Sequence, residues 1–246
     1  MSHRAHRAAR RWGAGLFVGM LLSATMALMG GTVAAADTAP GSAFPPLPTY
    51  SASPATWRSW AHAQGNVIRA VPWTAYMSAH GCSVSSLAFE QTPTPSGLGN
   101  IPPGVEMTSV SMVARCVSST TDFSSQQGTS SPSASTSETC GGIAGPGTAC
   151  VGPATVNGNP NYMFASYEYQ GGSSATGYVE LGNVGISPPS CSPGSEVASS
   201  PVKTLSPGAT GILFWGPRSI STTWSSTWWE GSTSPYTDWG SVCGVY

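Results

Sequence analysis

Charge is what this 246-residue chain has least of, with Asp, Glu, Lys and Arg making up 8% of it. Few ion pairs can contribute to such a fold, and its stability should vary little with pH except where single carboxylates are buried. The chain is therefore expected to tolerate acid. Past residue 36, ten acids face five bases, a net charge of −5. A phosphate backbone is bound by clustered Lys and Arg, so nucleic acid is excluded as a partner.

Catalytic and cofactor motifs are missing too. No G-x-S-x-G elbow, H-E-x-x-H pair, G-x-G-x-x-G run or phosphate loop occurs, which leaves serine hydrolase, zinc protease and nucleotide chemistry without support. Beyond residue 36 the histidines are His62 and His80, both on a helical stretch. His80 beside Gly81 reads as a partner of a helix C-terminus. No C-x-x-C pair exists, and His80 with Cys82 makes half a zinc site, so no metal and no cofactor are expected. No N-x-S/T sequon occurs either. The strongest apolar run after residue 36, GILFW at 211–215, is far too short to span a bilayer.

What is present begins with Arg4, Arg7, Arg10 and Arg11, followed by GLFVGMLLSATMALMGG and by small residues at Ala34 and Ala36. This is the anatomy of a secretory signal over residues 1–36, cleaved after Ala36. The uncharged stretch is also long enough for an uncleaved anchor, but Gly30, Gly31, Thr32 and the alanines end a signal better than they end a membrane helix. The expected location is secreted or extracellular, with the cell envelope as the alternative and no membrane contact after cleavage. Residues 37–53 are proline-rich and read as an extended linker.

All six cysteines lie beyond residue 36, and an even count in an exported chain implies a disulfide framework. Two strands, CSVSSLAFEQT and VEMTSVSMVARCVSS, are separated by a turn-rich PTPSGLGNIPPG. A hairpin with Gln91 opposite Met107 sets Cys82 across from Cys116. Cys140 and Cys150 flank a short Gly-rich stretch and pair locally, which leaves Cys191 with Cys243 by elimination.

Ser53-Pro54 is a good helix start. Trp57, Trp60, Ala61, Gln64, Ile68 and Val71 recur at helical spacing, and the same period runs past Pro72 to His80. The expectation is an amphipathic helix over about 54–80, ended or kinked at Pro72. Residues 118–139 contain fourteen serines or threonines in twenty-two and read as a mobile, polar excursion that O-glycans could decorate. From 150 to 246 the signals are of short strands punctuated by Gly, Pro and Ser. The fold class is therefore mainly β, an antiparallel β-sandwich-like domain over 54–246 with one N-terminal amphipathic α-helix packed against it and disulfides as staples. A second small domain at 54–118 is the alternative division.

Two constellations could carry function. In a strand from Ser219 to Glu230, alternation puts Ile220, Thr222, Trp224, Ser226, Trp228 and Glu230 on one face and Trp229 on the other. Trp224, Trp228, Trp229 and Glu230 are the ligand-binding candidates, because flat indoles rimmed by polar groups stack on sugar C–H faces. The competing reading makes these tryptophans ordinary core, which large aromatics usually are. The second constellation is a hairpin of 161–170 with 177–186, which would place Glu168 opposite Glu180 at the carboxylate spacing of a retaining glycosidase. A register differing by one would leave both glutamates solvated. The leading reading is a non-catalytic extracellular or cell-surface binding or structural protein that meets polysaccharide or cell-surface components. Its alternatives are a carbohydrate-binding module or acid-tolerant glycoside hydrolase, and a self-assembling coat or fibre subunit.

Overall fold

The computed structural model describes residues 43–117, 123, 138–185, 191–217 and 222–246. The signal segment, most of the Ser/Thr tract and Ile220 lie outside them.

The Ser53 side chain accepts from the Thr56 N–H at 3.1 Å and Pro54 opens helix α1, Pro54–Ala70. Here the N-cap hydroxyl takes one of the orphan amides of the first turn. Val71 is extended, as a residue before proline prefers, and a second helix, α2, runs Trp73–Ala79. The expected single helix is thus two, because Pro72 has no N–H to continue the ladder and keeps Val71 out of the helical region. Gly81 follows at φ +73, the left-handed turn that ends the second helix. Ahead of α1 the proline-rich segment touches the body: Phe44 packs on Tyr162 at 4.9 Å, and the Trp60 indole N–H donates to the Pro45 carbonyl at 3.0 Å.

Among the described residues eleven strands follow in two antiparallel sheets. They are β1 Cys82–Pro93, β2 Glu106–Cys116, β3 Thr139–Gly142, β4 Gly147–Val156, β5 Asn159–Tyr169, β6 Ala175–Gly185, β7 Ser195–Ser199, β8 Lys203–Leu205, β9 Thr210–Trp215, β10 Thr223–Glu230 and β11 Thr237–Val245. The first sheet has the order β1-β2-β9-β5-β4-β3, and the second β11-β10-β6-β7 with β8 also on β6. The protein is therefore mainly β, with α2 packed on one face of the first sheet and the second sheet on the other, while α1 adds Ile68 to the core on the first side and Trp57, Trp60 and Ala61 to the core on the second. Thr38–Tyr246 form one compact unit.

Alternation along the strands of the first sheet feeds two cores. Ile212, Phe214, Tyr162 and Phe164 pack with Trp73, Tyr76 and Met77 of α2, while Leu213, Trp215, Met163, Ala165 and Tyr167 pack with Val179, Leu181, Trp224 and Trp228 of the second sheet. A strand buried on both sides needs apolar residues at every position, which explains the unbroken GILFW run in β9. Gln64 is the polar clamp of this arrangement. It is fully buried, donates to the carbonyls of Thr108 and Gly216 at 3.1 and 2.6 Å, and accepts from the Thr108 N–H at 3.3 Å. Next to it α1 approaches β2 so closely that a Cβ on Gly65 would lie 2.5 Å from the Thr108 hydroxyl.

The bridges join Cys82 to Cys116, Cys140 to Cys150 and Cys191 to Cys243. Cys82 and Cys116 face each other across the β1–β2 ladder with Cα atoms 4.0 Å apart. The register expected farther along that hairpin needs correcting. A bulge between Val84 and Ser86 shifts it by one residue, so Gln91 pairs with Thr108 and Met107 with Thr92. The extra residue of a bulge leaves no mark in a count of loop length.

The hairpin of β5 with β6 does not form. β5 pairs with β4 on one edge and β9 on the other, while β6 belongs to the second sheet, between β10 and the β7/β8 edge. A strand has two hydrogen-bonding edges, and those of β5 are taken by strands distant in sequence. Glu168 therefore faces Thr148 and Thr210, and Glu180 faces Thr227 and Ser199.

Replacing Gln64 with Leu keeps its volume but strands three buried backbone groups. The expected loss is ~3 kcal/mol in denaturant unfolding, whereas Asn66→Ala on the exposed side of α1 should cost under ~0.5 kcal/mol.

Candidate functional site

β10 has two faces, and they divide its aromatics. Trp224 and Trp228 point between the sheets and are 0% and 1% exposed. Trp224 packs on Trp215 at 5.7 Å, and Trp228 stacks on Tyr167 at 4.8 Å. Between them Ser226 donates to the Ser166 carbonyl at 3.0 Å, fastening one sheet to the other. These two ligand-binding candidates are therefore core, with no surface to offer a sugar. Glu230, half-buried at the end of the strand, pairs with Gly177 and Thr237.

Trp229 points the other way. On the outer face of the second sheet it stacks with Tyr178 of β6, at 6.3 Å and 16° between planes, and Tyr178 meets Tyr236 edge-on at 4.9 Å. All three rings are partly exposed. Beside them the floor is built of small polar residues. Thr223, Ser225 and Thr227 are at most 3% exposed, and the Thr227 hydroxyl bonds that of Ser241 at 2.7 Å. The Cys191–Cys243 bridge pins the following residues over this floor, where the Gly194 N–H donates to Ser225 Oγ at 3.4 Å. Gly182 makes this close approach workable, since a Cβ there would lie 2.5 Å from Ser225 Oγ and 2.9 Å from the Gly194 nitrogen.

Three carboxylates converge on this face. Glu180, 5% exposed, is in the centre, with Glu196 on β7 and Asp238 on β11, both exposed. Glu196 pairs with Gly182, which makes it a diagonal neighbour of Glu180, about 7–8 Å away between Cα atoms. Burial pushes the Glu180 carboxyl up to about 7, the Glu196 charge and then that of Asp238 push the same way, and the Trp229 indole N–H partly offsets them from outside hydrogen-bond geometry. Burial, then the Glu180 and Glu196 charges and Tyr236, push Tyr178 up to about 12. The face thus sets one buried carboxyl, pushed up by its surroundings, beside two exposed ones, an asymmetry of the kind that separates acid from base roles in a site.

Glu168, the other catalytic candidate, is in the first sheet and hydrogen-bonds the Gln170 side chain at 3.4 Å. The two glutamates do not share a ladder, so the expected retaining pair is not built from them. Sequence reading found Glu180 and Trp229 but missed Tyr178, Glu196, Tyr236 and Asp238. Alternation in GYVEL sets Tyr178 and Glu180 on one face, a signal that was there to use; the others needed the strand order.

Elsewhere, the chain's single lysine, Lys203, reaches from β8 to the first sheet and donates to Ser111 Oγ at 3.1 Å. Burial pushes its amine down to about 8, against an opposing pull from Glu90. Ser111 is completely buried, so this pair ties the sheets together and has no route to substrate. Glu138 lies by Cys140 and Cys150, whose sulfurs are bonded to each other and so are not thiolate ligands.

The Glu180 carboxyl gives the expected acid tolerance a physical carrier. Its folded value of about 7 lies above the ordinary carboxyl value of 4.5, so the folded chain holds an extra proton between those limits. The stability it contributes is complete below that window and is lost as pH rises through it, on the order of 3 kcal/mol. Unfolding by denaturant should therefore show a more stable protein at pH 4 than at pH 8, and Glu180→Gln should remove most of that difference. An unchanged difference in Glu180→Gln would assign the effect to another group.

No protein-family model, no curated protein and no solved structure matches this chain.

Proposed function

We propose that this protein is an exported, disulfide-stapled binding module that holds saccharide on the outer face of its second sheet. The observation that carries this reading is the partly exposed Trp229–Tyr178 stack beside the buried Glu180 carboxyl. An indole offers its flat face to sugar C–H groups, and the stacked tyrosine fixes that face at little entropic cost. A protonated Glu180 can donate to a ring hydroxyl, and the carboxyl oxygens of Glu196 and Asp238 can accept from others. Three disulfides, with no helix among the described residues long and apolar enough to cross a membrane, support placing this module outside the cell. Uncharged saccharide also suits a surface with three acids and no described base among its walls, where an anionic ligand would be repelled.

A hydrolytic reading rests on the same carboxyl. Glu180 with a value near 7 is poised to protonate a leaving glycosidic oxygen, with Glu196 as the second carboxylate.

One set of assays decides between these. Incubated with insoluble cellulose, chitin, xylan and starch, the protein should be retained on at least one of them, with a shift in tryptophan fluorescence. Trp229→Ala should weaken retention at least tenfold. Release of reducing ends by wild type, abolished in Glu180→Gln, would select the hydrolase. Retention on none of the four, or retention indifferent to Trp229→Ala, would overturn the saccharide reading.

A further inference from the structure

Away from the outer face of the second sheet, a cavity of about 500 Å³ is lined by the segment before α1, the first turns of α1, Gln91 of β1 and the connection entering β2. This is within the size range of small-molecule sites. Its walls are flat and apolar: Tyr50, Trp57 and Pro102 line it, and Tyr50 is 59% exposed, a ring held at the mouth. Trp57 is 3% exposed, and its indole N–H has no partner.

The rim adds a sign. Arg58 and His62 are one helical turn apart on α1, and Glu106 is the one acid of the lining. His62 Nδ1 faces the Asn66 amide at 3.3 Å. With the Asn66 amide donating, the other ring nitrogen carries the proton and is a donor. Arg58 is one of only five bases past residue 36, and it is exposed, with no acid bonded to it among the described residues. A guanidinium and an imidazole donor match one carboxylate, and Glu106 disfavours a second negative charge.

We propose that this cavity is a binding site for a flat, apolar small molecule with a single acidic group, an aromatic monoacid. The ring body lies against Tyr50, Trp57 and Pro102, and the acid meets Arg58 and His62. The site shares no residue with the saccharide face, and its occupancy is independent of that reading.

The test uses two fluorescent probes with the same ring body, 8-anilinonaphthalene-1-sulfonate and its uncharged parent N-phenyl-1-naphthylamine, titrated into the folded protein. The sulfonate should bind saturably at one site, at least fivefold more tightly than the neutral probe. Arg58→Gln, on the exposed side of α1, should bring the two probes level. Ala52→Trp, which fills the mouth, should abolish binding of both while thermal unfolding remains cooperative. If Ala52→Trp does not fold, Arg58→Gln alone decides. Equal binding of the two probes by wild type, no effect of Arg58→Gln, binding undiminished in folded Ala52→Trp, or no saturable binding would each overturn the proposal.

Discussion

The arrangement depends on the two hydrogen-bonding edges of β5. Both are occupied, by β4 and by β9, so the chain leaving Tyr169 cannot fold back onto β5, and it crosses to start the second sheet. That crossing makes a sandwich out of what would otherwise be one long meander. It also sets Glu180 on a different sheet from Glu168 and puts Tyr178 and Glu180 beside β10. Once β10 lies against β6, its alternation does the rest: Trp224 and Trp228 fill the space between the sheets, and Trp229 is left outside on Tyr178.

With so little charge available, cohesion falls to aromatic packing, buried polar clamps and covalent sulfur. Trp215, Trp224, Trp228 and Tyr167 form the seam between the sheets, each burying an area worth several methylene groups. Gln64 and Ser226 satisfy backbone groups that the helix–sheet and sheet–sheet junctions would otherwise strand. The disulfides secure the margins: the end of the β1–β2 ladder, the short edge strand β3 against β4, and the β11 edge against the segment before β7. An edge strand of four residues such as β3 has little pairing of its own, and a cross-link worth about 2–4 kcal/mol outweighs it.

Local chemistry was readable in the residues and long-range pairing was not. Ser53-Pro54 and Gly81 mark helix ends through their own backbone preferences, and the apolar and aromatic runs mark strands. Pro72 was legible as a break whose outcome, a kink or two helices, depended on what Trp73 could pack against. The Cys82–Cys116 pairing was legible although Gln91 does not face Met107, because the bulge takes up the one-residue difference before the ladder reaches the cysteines. The bulge at Ser85 spoils that register beyond it, because no residue type demands an unpaired position there. Sheet membership was the larger gap. Nothing in the residues of β5 says that β9, some forty positions on, takes its second edge. The pair Glu168 and Glu180 looked like neighbours for that reason alone. Trp229 was legible as the odd member of its strand by alternation, but whether it or Trp224 and Trp228 faced the core depended on the partner sheet.

Inside and outside along β10 is therefore the point on which this account stands, and hydroxyl-radical footprinting read by mass spectrometry measures it directly. In the native protein Trp229, Tyr178 and Tyr236 should be oxidised, while Trp224 and Trp228 stay protected until the chain is unfolded. Oxidation of Trp224 and Trp228 at the rate of Trp229 in the folded state would contradict the division of the strand and, with it, the site built on its outer face.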